Sequence, residues 1–133
     1  IYNDNDLIGT QATTAQANFD TGHPLYQAIA GFAAIRKAQP ALRRGVQVTR
    51  LARRDDSVFV FSRIDYDQGT EIVIAVNPEQ AARSVDISVD GRAKRFTSLL
   101  GQCANEVGAP GSYPMELPAL DLIVCKAKFE VTE

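Results

Sequence analysis

The chain has 133 residues, with 14 Lys+Arg against 16 Asp+Glu, one His and a net charge of -2, which suits one domain or one small domain with an appendage. Hydrophobic residues at 45% and charged residues at 23% exclude a disordered or collagen-like chain. The longest apolar runs, Val58 to Phe61 and Ile72 to Val76, fall far short of the roughly 18 residues a membrane-spanning helix needs, so no membrane partner is expected. Cys103 and Cys125 are too few for a disulfide scaffold and form no Cys-x-x-Cys zinc pair. The sequence opens on Ile1 and its only Met is Met115, which predicts a piece of a longer polypeptide and leaves its compartment open.

Residues 1 to 23 are rich in Asn, Asp, Thr and Gly, lack Lys and Arg, and show no sustained periodicity. That is loop chemistry, and so long a structureless stretch is unusual inside a compact domain. It is expected to be held by something outside this chain or to perform a task. Asn3-Asp4-Asn5-Asp6 offers oxygen ligands, but no Glu closes an EF-hand register, and no metal is expected.

A helix is predicted over residues 24 to 38. Pro24 suits the first helical position, and Leu25, Ile29, Phe32 and Ile35 recur at spacings that line one face. Arg36 and Lys37 complement the negative end of the helix dipole, and Pro40 stops the helix. From Arg36 to Arg54 there are seven basic residues and no acid. The run reads as a solvated helix end followed by an exposed strand, so no nucleic-acid partner is expected.

From Val46 onward the pattern changes to strands. VQVTRLARR, SVFVFSRID, TEIVIAVN, RSVDISVD and KRFTSLL follow one another between turn residues, and Asp90-Gly91 reads as a type I′ hairpin corner. GQCANEVGAPGSYP reads as irregular and ALDLIVCKA as a last strand. In that strand Leu120, Leu122 and Val124 share one face and Asp121, Ile123 and Cys125 the other. Nothing in the pattern aligns Cys103 with Cys125, so two free thiols are expected. Together these elements predict a mainly β protein: an antiparallel Greek-key-type β-sandwich preceded by one N-terminal loop and α-helix.

Residues that carry chemistry are scarce. His23 precedes Pro24 at the helix entrance, and no Gly-x-Ser-x-Gly elbow accompanies it. No glycine-rich phosphate loop is present, and no cofactor is expected. There is no Trp, and Tyr2, Tyr26, Tyr66 and Tyr113 are scattered over different elements.

One stretch is more specific. Pro24-Leu25-Tyr26, Ile35-Arg36-Lys37, Pro40-Ala41-Leu42 and Gly45 are followed by Phe59-Val60-Phe61-Ser62-Arg63 and by Ile72-Val73-Ile74-Ala75-Val76-Asn77. This pattern resembles the junction between the catalytic barrel and the C-terminal domain in the alpha-amylase superfamily of glycoside hydrolases. The resemblance covers about residues 2 to 77, with strand pattern alone beyond.

The resemblance implies an order of parts. Family members hydrolyse or transfer α-glucosidic bonds with retention, using an Asp nucleophile, a Glu acid/base and a second Asp on a (β/α)8 barrel. All three precede the last barrel helix, and the only His here is followed by Pro rather than set in Asn-His-Asp. No catalytic residue is therefore assigned, and the chain alone is expected not to be an enzyme. Residues 1 to 45 would be the last loop and helix of the barrel, and residues 46 to 133 a C-terminal β-sandwich domain. Asn3, Asp4 and Asp6 are the polar candidates for bordering the sugar cleft. The implied partners are the parent's own catalytic barrel and, in the intact enzyme, an α-glucan. A free-standing carbohydrate-binding module is the alternative. Without the barrel, two copies of the fragment are expected to pair through helix 24–38.

Overall fold

A computed structural model of the chain describes residues 24–52 and 57–131. The helix forms as expected: α1 spans Pro24–Ala38, and the amide of Gln39 donates to Ile35 O at 3.0 Å before Pro40 ends the ladder. One further turn, α2 (Ala41–Arg44), buries Ala41 and Leu42.

Seven strands follow: β1 (Val46–Ala52), β2 (Phe59–Asp65), β3 (Thr70–Asn77), β4 (Arg83–Ser88), β5 (Phe96–Leu100), β6 (Ser112–Leu117) and β7 (Asp121–Lys128). They build a five-stranded sheet in the order β1-β2-β3-β7-β5 and a two-stranded sheet β4-β6, with antiparallel pairing throughout. After β3, every connection passes from one sheet to the other. The fold is an antiparallel sandwich with a helical layer on the outer face of its larger sheet.

Period-two alternation sorts the apolar side chains into two cores. Between the sheets, Val60, Val73, Ala75, Ile123, Cys125 and Ala127 of the large sheet meet Val85, Ile87, Tyr113, Met115 and Leu117 of the small one. On the other face, Ile72, Ile74, Leu122 and Val124 meet Ala41 and Leu42 of α2, with Phe32 and Ile35 of α1 packed against them. The helix stripe is thus confirmed for Phe32 and Ile35, whereas Ile29 is 54% exposed.

The turn between β2 and β3 is the hairpin expected there. Asp65 Oδ1 accepts the amides of Asp67 and Gln68 at 3.1 Å each, a side-chain mimic of a backbone turn. Gly69 sits at φ 66°, and a Cβ there would lie 2.1 Å from Phe129 O. Glycine is required both for that angle and for that approach.

Three expectations need correction. Asp90-Gly91 is not a hairpin corner, because β4 pairs with β6 and β5 with β7. Asp90 O instead accepts the amide of Ala93 at 2.9 Å, and its Oδ1 accepts the amide of Arg92 at 2.9 Å, so the chain turns across to the other sheet. The end of the stretch read as irregular is strand β6, which contains Pro114. Proline is tolerated because both strands of a two-stranded sheet are edges.

The cysteines are the third correction. Cys103 and Cys125 form a disulfide with Cα atoms 5.9 Å apart. Ser98 of β5 lies opposite Cys125 of β7, and the chain then doubles back after Gly101, at φ 74°. The Cys103 amide donates to Ser98 Oγ at 2.9 Å, which fixes the returning loop over Cys125. The Tyr113 hydroxyl donates to Ala104 O at 2.6 Å, holding the same loop from the second sheet.

The bridged residues are 22 apart in sequence, a span for which the chain-entropy view gives a stabilisation of about 3 kcal/mol. Cys103→Ser with Cys125→Ser is expected to lower the urea midpoint correspondingly, with an unchanged midpoint counting against the bridge.

Candidate functional site

Among the described residues, the buried or half-buried carboxylates Glu71, Asp65 and Asp90 are occupied in structural roles. Glu71 is fully buried beneath the β1–β2 edge. Its Oε2 accepts from Arg50 Nη2 at 2.8 Å and from Ser62 Oγ at 2.5 Å, and its Oε1 accepts the Asp90 amide at 2.8 Å. Arg50 reaches it because the β1–β2 register shifts between Thr49 and Leu51, a bulge that re-aims the side chain inward. Nε of Arg50 also donates to Ser62 Oγ at 3.1 Å.

Asp65 holds its turn and faces Arg44 at 3.5 Å. Asp90 meets Arg92 through two bonds of 2.9 Å, and the guanidinium so held keeps the carboxyl below its usual range. Arg92 in turn lies 4.3 Å above the Phe129 ring. Glu116 accepts from Ser84 Oγ at 2.5 Å. Among the described residues, no group of three or more His, Cys, Asp and Glu side chains gathers to hold a metal. Asn3, Asp4, Asp6 and His23 lie outside the described residues.

Asn77, which ends the strand motif singled out in the sequence, has a definite task. It is fully buried, and its Nδ2 lies 3.0, 3.2 and 3.0 Å from the carbonyls of Ala81, Leu117 and Pro118. Its Oδ1 accepts the Glu79 amide at 3.1 Å. One amide therefore ties the β3–β4 connection to the end of β6, where both pass between sheets. Aspartate at this position would have no donor to offer.

The basic run divides. Arg36, Lys37, Arg43 and Arg44 are exposed, whereas the Arg50 side chain is only 14% exposed in its ion pair with Glu71. Arg53 and Arg54 lie outside the described residues. Among the aromatic side chains described, Phe96 and Tyr113 stack in the core with centroids 4.0 Å apart, and burial raises the Tyr113 phenol above its ordinary range. Tyr66 is exposed alone in its turn.

Among the described residues, the helical layer offers a surface for association. Ile29, on the flank of the sheet-facing stripe, and Ala30, Ala33 and Ala34 of α1 are exposed. Beside the end of α1, the same face of the sheet carries Lys126 and Lys128, which sequence reasoning did not single out.

Comparison with known proteins fits this architecture. No family model matches the chain. Over 127 residues it is 38% identical to an alpha-amylase of Streptomyces lividans, which accounts for 95% of the chain and 14% of that protein. The chain is homologous to part of an alpha-amylase. An Anoxybacillus alpha-amylase structure superposes on 89% of the chain with a TM-score of 0.60 at 22% identity, using 25% of its own length. A debranching enzyme from Nostoc punctiforme covers 77% of the chain with a TM-score of 0.57 at 21% identity, using 21% of its length. These two likenesses establish the fold. Because the chain spans only 14% of the relative, it corresponds to a partial portion of such a protein.

Arg50→Met is expected to cost about 3–5 kcal/mol, since it leaves Glu71 charged, buried and without its cation. Changing Arg50 and Glu71 together to Met should cost less than the sum of the two single changes. Additive losses in urea denaturation would contradict a coupled pair.

Proposed function

We propose that this chain is the non-catalytic C-terminal portion of an alpha-amylase-superfamily enzyme acting on α-glucans, and that it supports the catalytic barrel. In this reading residues 1–45 are the last loop and helix of the barrel, and residues 46–133 are the sandwich domain. The observation that carries it is the breadth of the apolar surface of α1. Phe32 and Ile35 face the sheet core, while Ile29, on the margin of that stripe, is 54% exposed and Ala30, Ala33 and Ala34 are exposed beyond it. A helix whose apolar surface extends beyond the part its own sheet covers fits between two layers, and the sandwich supplies one. The barrel is the other. The structural employment of Glu71, Asp65 and Asp90 supports a non-catalytic role.

A free-standing carbohydrate-binding module finds less support, because a sugar-stacking platform needs exposed rings grouped together and, among the described residues, Tyr66 is the one exposed ring. In the isolated chain the outer face of α1 is open to a second copy, so pairing through residues 24–38 is the expected consequence of losing the barrel.

The 133-residue chain, incubated with soluble starch, pullulan and maltoheptaose, is expected to release no reducing sugar above buffer. Calorimetric titration with maltooligosaccharides in parallel is expected to give no saturable heat. Turnover that survives repurification would contradict the non-catalytic reading, and saturable binding would favour the module.

A further inference from the structure

The outer face of the large sheet holds an arginine that packing alone does not explain. Arg63 lies on β2 between Gln47 of β1 and Ile72 of β3, on the face whose core is Ile72, Ile74, Leu122 and Val124. It is half-buried, and its Nε is shut away from solvent with no hydrogen-bond acceptor. Its Nη1 donates to Gln47 Oε1 at 3.3 Å, which is a neutral oxygen. Among the described residues, Arg44, Arg50, Arg92 and Arg95 each meet a carboxylate, whereas Arg63 meets none. Its charge is therefore uncompensated, and withdrawing a charge from water is costly unless it is paired.

This guanidinium borders a cleft of about 180 Å³, lined by Phe32, Arg36, Leu42, Gln47, Phe61 and Arg63. Three features decide what fits there. The apolar part of the lining comes from Phe32 of α1, Leu42 of α2 and Phe61 of β2, all packed on the outer core. The charged part is entirely cationic: Arg63 is joined by Arg36 from the last turn of α1. Arg36 likewise meets no carboxylate among the described residues, and none lines the cleft. The volume equals about six water molecules, enough for one small ring and its substituent.

We propose that this cleft binds a small organic anion: a carboxylate carried on a single planar apolar ring. Arg63 and Arg36 supply its counter-charge, and Phe32 and Phe61 lie against the ring. The inference goes beyond the proposed function and does not rest on it. Arginine presents paired N–H donors that match the two oxygens of a carboxylate, and aromatic side chains favour a ring packed against them. Inorganic phosphate would answer the two cations but set its charge against Phe32, Leu42 and Phe61. A neutral alcohol or sugar would fill the space and leave both cations unpaired. An anion with an apolar body meets both halves of the lining.

The test is an NMR titration of the isotope-labelled 133-residue chain with benzoate at neutral pH. Inorganic phosphate and benzyl alcohol are titrated in parallel at matched ionic strength. Benzoate is expected to shift the Arg63 Nε–H and Gln47 side-chain amide resonances saturably. Phosphate and benzyl alcohol, each carrying half of the recognised chemistry, should bind about tenfold more weakly, the scale of one lost charge-assisted contact. Arg63→Gln and, separately, Arg36→Gln should each weaken benzoate by about the same factor. Arg36 is exposed, so its variant keeps the fold and decides the matter even where Arg63→Gln unfolds. Phosphate bound as tightly as benzoate would reduce the site to charge, and benzyl alcohol bound as tightly would reduce it to an apolar notch. Either result overturns the proposal, as would the absence of a saturable shift or full benzoate affinity in Arg36→Gln. Shifts of the same resonances with protein concentration alone would show a second copy filling the cleft, and would also overturn it.

Discussion

A sheet whose central strands are apolar on both faces must be covered on both, and this constraint governs the rest of the molecule. In β3 only Val76 is less than fully buried, and β7 is buried from Leu122 to Cys125. The alternation that places Val73, Ala75, Ile123 and Cys125 against the small sheet necessarily places Ile72, Ile74, Leu122 and Val124 on the other side. Leaving a large aliphatic side chain in water forfeits roughly 1.5–3 kcal/mol, so four of them demand a second layer. The helices at residues 24–44 supply it. They are part of the sandwich's packing as well as its connection to what precedes it.

Polar groups buried by this arrangement are satisfied in full where the chain crosses between sheets. Asn77 joins two crossings through one amide, and Glu71 receives Arg50, Ser62 and the Asp90 backbone. Unpaired, either side chain would cost several kcal/mol. These positions therefore fix which connection lies where, and they leave the outer surfaces free for association.

Local signals made much of this legible in the sequence. Short apolar runs in SVFVFSRID and TEIVIAVN, with the Asp65-to-Gly69 turn between them, specified a hairpin that needs no distant partner. The ends of α1 were marked by Pro24 and by Arg36, Lys37 and Pro40 for equally local reasons. What escaped is non-local. Asp90-Gly91 has hairpin chemistry, but its flanking strands belong to different sheets, and only the pairing of β5 with β7 reveals that. The same pairing sets Ser98 opposite Cys125 and brings Cys103 back to it. Arg50 looked like one more exposed base because a bulge is invisible to strict alternation.

The claim on which this account turns is that the helical layer is structurally inseparable from the sheet it covers. Urea unfolding of residues 46–133 against the full 133-residue chain tests it most directly, with a dye for exposed apolar surface present. The shorter piece is expected to lose its cooperative transition or shift it far to lower urea, and to bind the dye through Ile72, Ile74, Leu122 and Val124. A shorter piece that unfolds at the same midpoint and binds no dye would contradict it.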